Sequence, residues 1–215
     1  MHPLMEYLSK KNNNTNGEYE EEASSNEEET AKSSILPTLP EVCITRVTTV
    51  HNNCLKGMYE LKKMEYESRY GSVQELTLVH STSALNVPSI IKNNLDWRRV
   101  KRNRFGKGVS FSGNAEYANH YSKRSNGEQR AFIIAKVLVS REVWGHPSIK
   151  IPPNNVDTTI SNNRKVYVKY CDNEFLIEYI VYYNRPVKPP SWKTDAEESL
   201  AHLLNLLSSL DNPPT

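Results

Sequence analysis

The chain has 215 residues, enough for one domain with tails and a core of useful size. Its net charge of +2, from 27 basic and 25 acidic residues, is too balanced for a dominant nucleic-acid footprint. No apolar run approaches the ~18 residues of a membrane-spanning helix, and the start, MHPLMEYLSKKNNN, has too short an apolar stretch for a secretory signal. The hydrophobic share of 37% is low and implies that part of the chain does not fold. Cys43, Cys54 and Cys171 are widely spaced and odd in number, which excludes a disulfide scaffold and a self-contained zinc site. They fit a reducing compartment, so a soluble intracellular protein is expected.

Residues 9–34, SKKNNNTNGEYEEEASSNEEETAKSS, are mostly Asn, Ser and Glu, too polar to repay ordering entropy. Residues 1–40 are therefore expected to be a disordered acidic tail, and Pro37 and Pro40 mark the entry into folded chain. Val42, Ile44 and Val47 suggest an extended segment. Residues 52–68 place Cys54, Leu55, Met58, Tyr59 and Leu61 on one helical face. Gly71 punctuates, and Leu76–His80 reads as a strand. Asn86 is positioned as a helix N-cap, with Pro88 in the first turn and Ile90 and Ile91 facing inward. Residues 96–107 are polar and basic without an apolar period, which predicts a loop.

Val109–Ser112 is a short strand, and Asn114–Ser122 a short helix carrying Ala115, Ala118 and Tyr121. Ala131–Val139 is almost wholly apolar, as a strand buried on both faces would be. Residues 145–163, with Pro147, Pro152 and Pro153, predict a long loop. Val166–Tyr170 and Phe175–Tyr183 are strands separated by a turn at Asp172–Asn173. Pro186, Pro189 and Pro190 end the domain. In the tail, Thr194–Leu210 predicts an amphipathic helix with a Thr194/Glu197 capping box and a stripe of Leu200, Leu203, Leu204, Leu207 and Leu210. It could dock in a partner's groove, pack on its own domain or self-associate. Strands, short helices and long loops in mixed order make the class α+β.

Four segments stand in a telling order: LVHSTS at Leu78–Ser83, NLDWR at Asn94–Arg98, FGKGVSFSGNAEYANHYS at Phe105–Ser122, and VYVKYCDNEFLIEYIVYY at Val166–Tyr183. Together they resemble the catalytic domain of the poly(ADP-ribose) polymerase family, the diphtheria-toxin-like ADP-ribosyltransferases. The likeness is greatest to the mono-ADP-ribosylating branch with the zinc-finger CCCH antiviral-type and TCDD-inducible members, and it spans about residues 41–183. It implies central antiparallel sheets flanked by short helices, a catalytic domain at 41–185, and a linker with the leucine helix at 186–215.

The resemblance implies that NAD is split at the nicotinamide–ribose bond and that ADP-ribose moves to an acceptor through an oxocarbenium-like transition state. His80 matches the family histidine that bonds the ribose, and Tyr121 the retained stacking tyrosine. Arg98 matches the arginine at the adenosine end, and Gly106 and Gly108 belong to the cofactor-binding GKG segment. Four positions depart from the pattern. Ser81 stands where glycine offers its backbone to the nicotinamide amide; its Cβ is expected to point into the pocket. Ser110 replaces the first stacking tyrosine, and Ala118 a serine that bonds the carboxamide. Val166 fills the triad position where glutamate supports polymer synthesis, so the triad reads His80–Ser110–Val166. Glu178, in EYIVY, falls in the last strand and is read as an outward-facing residue, not as the missing acid.

The departures remove pocket interactions worth on the order of 2–4 kcal/mol, or ~30–1,000-fold in affinity. Two functions follow. One is weak NAD-dependent mono-ADP-ribosyl transfer to a protein acceptor or to the protein itself. The other is a pseudoenzyme that keeps the fold as a protein- or RNA-binding scaffold, using the basic Arg98–Lys107 loop or the Thr194–Leu210 helix. The resemblance implies no metal cofactor and no membrane partner, and a nuclear or cytoplasmic location.

Overall fold

The structure, a computed structural model, describes residues 18–101, 103–122 and 129–184, with Tyr121 and Ser122 as backbone only. Its strands and helices run in chain order as β1 (Tyr19–Glu22), α1 (Ser25–Ser33), β2 (Cys43–His51), α2 (Asn53–Tyr70), β3 (Gln74–Ser83), α3 (Val87–Asn93), β4 (Val109–Phe111), α4 (Ala115–Ser122), β5 (Gln129–Val139), β6 (Glu142–Trp144), β7 (Thr158–Ile160), β8 (Tyr167–Lys169) and β9 (Phe175–Asn184). Two sheets result. The larger has the order β1-β2-β9-β5-β3 and is antiparallel throughout. The smaller has the order β4-β8-β7-β6, in which the β6–β7 pair is parallel, a departure from the purely antiparallel expectation.

The apolar run of β5 explains its central place. Ala131, Ile133, Ala135 and Val137 pack on one face with Phe111, Ile90 and Phe175. Phe132 and Ile134 pack on the other with Ala31, Ala115 and Tyr183. Because both faces are covered, β5 has no polar face to alternate with. Ile90 and Ile91 of α3 are buried as expected, and Asn114 caps α4 by accepting from the Tyr117 amide at 2.7 Å.

Three expectations are corrected. First, residues 18–40 are not a disordered tail. Ser24 and Glu27 close a capping box at the start of α1, and Ala31 and Ile35 are fully buried. The carboxylates of β1 are matched by the neighbouring strands. Glu20 accepts from Thr48 at 2.7 Å and from Tyr182 at 2.9 Å, Glu21 meets His51 at 2.7 Å, and Glu22 meets Arg46 at 2.5 Å. Composition alone registers the charge but not the partners that neutralise it. Residues 1–17 and the predicted Thr194–Leu210 helix lie outside the described residues.

Second, α2 buries a different face. Tyr59 and Tyr66 point inward, while Met58, Leu61 and Met64 are exposed. The tyrosine rings are apolar and their hydroxyls find acids, Tyr59 donating to Glu75 at 2.7 Å and Tyr66 to Glu174. Gly71 ends the helix in the left-handed conformation, φ 82°. Third, the region 145–163 is not wholly loop, since it contains β7, whose residues are all buried.

A buried ionic group holds the smaller sheet against the larger. Lys169 is fully buried, and its Nζ lies 2.8 Å from Asp157 Oδ2, 2.7 Å from Thr158 Oγ1 and 3.6 Å from Glu174 Oε1. Glu174 also accepts from the amides of Tyr170 and Cys171 at 3.0 and 2.9 Å. Removing one charge from such a group strands the others away from water. Lys169→Ala is expected to cost ~3–5 kcal/mol in denaturant unfolding at neutral pH. A loss no larger than that of an ordinary surface substitution would show that the acids do not depend on the lysine.

Candidate active site

The site is built where the two sheets touch. Val79 in β3 and Ser112, just past β4, exchange backbone hydrogen bonds of 2.8 and 2.9 Å. Continuing that antiparallel register would pair Ser81 with Ser110. The strands separate instead, and His80 spans the opening: its Nδ1 donates to the Ser110 carbonyl at 2.9 Å. The imidazole also meets the Phe111 ring edge-on, centroids 6.0 Å apart. Burial pushes the His80 pKa below its ordinary value, so the ring is neutral at physiological pH. With the proton on Nδ1, Nε2 carries a lone pair, and no described residue donates to it.

Ser81 follows from the same register. Alternate residues of a strand turn their backbone groups to the same edge. Val79 turns its N–H and C=O outward to Ser112, so Ser81 also turns its own outward, away from β5. β3 is the edge of its sheet, and among the described residues no strand continues past the Val79–Ser112 bridge to take these groups. A donor and an acceptor thus stand side by side at the mouth of the gap. The Ser81 side chain does not fill the pocket as expected: its hydroxyl is bonded to the Tyr183 hydroxyl at 2.9 Å.

A cavity of about 1220 Å³ opens at this gap, above the roughly 300–1,000 Å³ of most small-molecule sites. His80, Ser81, Arg98, Gly108, Ser110, Ala118 and Val166 all line it. Ser110 is exposed between two buried neighbours, and Val166 is buried, bonded through its backbone to Ser161. Gly108 permits close strand contact, since a Cβ there would lie 2.2 Å from the Lys169 carbonyl. Arg98 sits at the rim, its Nε 2.7 Å from Asp96 and its Nη2 3.3 Å from Asp172. These exposed pairs hold it weakly. Arg99 and Lys101 extend the positive rim.

Two candidates are placed differently. Gly106 does not line the cavity; its φ of 121° and a Cβ position 1.8 Å from the Tyr170 hydroxyl give it a structural reason to be glycine. The Tyr121 side chain lies outside the described residues. One turn earlier Tyr117 lines the cavity, as do Thr82, Asn86, Ser89 and Asn93. Asn86, Ser89 and Asn93 recur at helical spacing, a polar stripe beside Ile90 and opposite Ile91, a signal the sequence carries. Asp96 is the one carboxylate among the described lining residues, and Arg98 occupies it. Glu178 is not among them; it pairs with Lys136 across β5 and β9 at 3.0 Å.

Comparison with known proteins places the geometry in context. The model of the poly(ADP-ribose) polymerase catalytic domain matches residues 18–175, so it takes in β1 and α1. The chain is 30% identical over 165 residues to protein mono-ADP-ribosyltransferase PARP12 of Homo sapiens, covering 71% of this chain and 23% of that protein. It is 29% identical over 167 residues to the Mus musculus PARP12, covering 72% and 23%. It is 25% identical over 170 residues to protein mono-ADP-ribosyltransferase PARP11 of Mus musculus, covering 64% and 51%. The chain thus spans about a quarter of the PARP12 relatives and half of the PARP11 relative.

The state of His80 has a pH signature. An ordinary imidazole titrates near pH 6.5. Because the folded value is lower, the unfolded chain binds the proton first as pH falls. The stability tied to neutral His80 is complete above about pH 6.5 and is lost as pH drops through the folded value. On acidification, wild type is expected to lose melting temperature relative to His80→Gln. A difference that does not change between about pH 7 and pH 5 would show that the ring is not held neutral.

Proposed function

This chain belongs to the poly(ADP-ribose) polymerase catalytic-domain family, and from that premise we propose that it binds NAD in the cleft and transfers a single ADP-ribose to a protein acceptor, releasing nicotinamide. The supporting observation is the outward backbone donor and acceptor of Ser81, which no described strand pairs, beside the neutral imidazole of His80. A primary carboxamide is the complement of the first pair: its oxygen accepts from the Ser81 N–H and its nitrogen donates to the Ser81 carbonyl. His80 Nε2 accepts from a ribose hydroxyl. Thr82 and Asn86 offer further polar groups to the sugar, and Arg98 meets the diphosphate with a charge-assisted bond. On this reading the cleft corresponds to that of the diphtheria-toxin-like transferases.

In the reaction the bond between the anomeric carbon and the pyridine nitrogen breaks. Nicotinamide leaves with the electron pair as a neutral molecule, and the acceptor attacks the anomeric carbon and loses its proton. What this chain contributes is orientation: the amide held at Ser81, the ribose at His80. Val166 supplies neither a base for a second sugar hydroxyl nor a negative charge, which favours single transfer over chain growth. The same absence of a carboxylate beside His80, among the described lining residues, favours a second reading, a binding module that holds NAD or a partner without turnover.

Thermal shift and labelled-NAD incorporation test the proposal. Millimolar NAD is expected to raise the melting temperature, and labelled ADP-ribose to appear on the protein as single units. Loss of one hydrogen bond is worth ~1 kcal/mol, so His80→Ala is expected to weaken NAD several-fold and to abolish transfer. Glu178→Gln should leave both intact. Binding without incorporation selects the second reading, and no shift with NAD overturns the NAD reading of the cleft and leaves only a partner for it.

A further inference from the structure

The connection from β6 to β7 carries large apolar side chains that the fold does not cover. Trp144, the last residue of β6, is 56% exposed, and Ile151 is 78% exposed. Apolar side chains exposed singly are ordinary, but these two belong to one pinned segment. Ile151 stands between two hydrogen-bonded turns. The Ile149 amide donates to the His146 carbonyl at 3.0 Å, and the Val156 amide to the Pro153 carbonyl at 3.1 Å. Pro152 and Pro153 stiffen the backbone between them.

A second segment lies against this one. The Lys107 amide donates to the Ile149 carbonyl at 2.8 Å, and the Asn103 side chain to the Pro147 carbonyl at 2.6 Å. Phe105 meets Gly145 so closely that a Cβ there would lie 2.2 Å from the Phe105 carbonyl oxygen. Arg104, Lys107 and Lys150, all exposed, are thereby brought to the same connection as Trp144 and Ile151. The charge is one-sided. Residues 97–108 and 143–156 hold seven of the chain's 27 Lys and Arg and none of its 25 Asp and Glu, which leaves 20 basic against 25 acidic residues elsewhere. The carboxylates that border these segments are engaged: Asp96 with Arg98, Glu142 with Arg164, and buried Asp157 with Lys169.

The combination sorts the partners. A cationic patch attracts any polyanion. A nucleic-acid strand would stack on the indole but gains little from an isoleucine set out beside prolines. An anionic bilayer uses every part: the indole at headgroup level, the aliphatic side chain below it, and the cations at the lipid phosphates. Among the described residues no helix is long and apolar enough to cross a membrane, so the contact lies in the plane of the interface.

We propose that Trp144 and Ile151, with Arg104, Lys107 and Lys150, form a peripheral docking surface for an anionic lipid bilayer. This goes beyond the NAD reading and does not rest on it. It departs from the expectation of no membrane partner, which the resemblance alone supplied. Residues 97–108 also provide the cationic rim of the cleft, so the cleft and the docking surface share a segment.

The test is co-sedimentation of the full chain with vesicles of phosphatidylcholine alone or mixed with phosphatidylserine, at physiological salt. Wild type is expected to sediment with the mixed vesicles and not with phosphatidylcholine. Ile151→Ser and Trp144→Ser are each expected to weaken the partition about tenfold. Reversing Lys107 and Lys150 to Glu should abolish it. Met58→Ser, which removes an exposed apolar side chain of α2, should change nothing. All are surface substitutions, and an unchanged melting temperature confirms folding. No sedimentation with the mixed vesicles overturns the proposal. So does sedimentation that survives both Ile151→Ser and Trp144→Ser, since charge alone or another segment would then account for it. Labelled single-stranded RNA is the parallel arm. Capture of RNA without vesicle binding assigns the surface to nucleic acid and overturns the bilayer.

Discussion

Two backbone hydrogen bonds between Val79 and Ser112 couple β3 to β4, and the position of every group at the cleft floor follows from that pairing stopping where it does. One more rung would join Ser81 to Ser110 and consume the groups that now face open space. His80 intervenes. Its Nδ1 takes the Ser110 carbonyl, so that oxygen is not left unsatisfied, and the ring keeps the strands apart. By bonding that carbonyl at the point where the strands part, the imidazole is a structural part of the gap as well as its chemical floor.

β4 is only Val109–Phe111, too short to hold its own position. It is held from behind. Val109 lies opposite Lys169 in β8, and Gly108 lets the two backbones meet at a distance no side chain would permit. Lys169 in turn is anchored by Asp157 and Glu174, and Glu174 reaches α2 through Tyr66. A buried ionic group is a poor source of net stability, because desolvation offsets most of the Coulomb gain. Its effect here is directional. An apolar residue at 169 could pack in several ways, whereas an ammonium facing two carboxylates has one good arrangement, and the register of β8, β4 and the gap above it is set accordingly.

How much of this was readable depended on whether the decisive neighbour was near in sequence. β5 is legible because its apolar run needs no partner to be interpreted, and Ile90 and Ile91 because the helical period reports them. The acidic start was misread because its partners, Arg46, Thr48 and Tyr182, lie on other strands. The inward face of α2 was misread because hydropathy ranks Met and Leu above Tyr, while the acids that receive the tyrosine hydroxyls are invisible to a local pattern. At the site, His80, Ser110, Ala118 and Val166 were found through motifs and are brought together at one cavity. The direction of the Ser81 side chain was not legible, since it is set by Tyr183, 102 residues away.

The charges around the cleft carry the last constraint. Arg98, Arg99 and Lys101 are the cationic side chains that line it, while His80 is neutral and Ser110 and Val166 are uncharged. A dinucleotide with an anionic diphosphate and a cationic pyridinium has one favourable orientation in that field, with the phosphates at the rim and the pyridinium at the uncharged floor. Reversal would set the pyridinium against the guanidinium groups and strand the phosphates beside Val166. The floor owes its neutrality to two features: the burial that keeps His80 from taking a proton and the apolar side chain at 166. A protonated His80 would repel a pyridinium and lose the Nε2 lone pair that the proposed reading gives to the ribose. The pH range in which the fold keeps His80 neutral is therefore the range in which the proposed substrate is oriented for the bond that breaks.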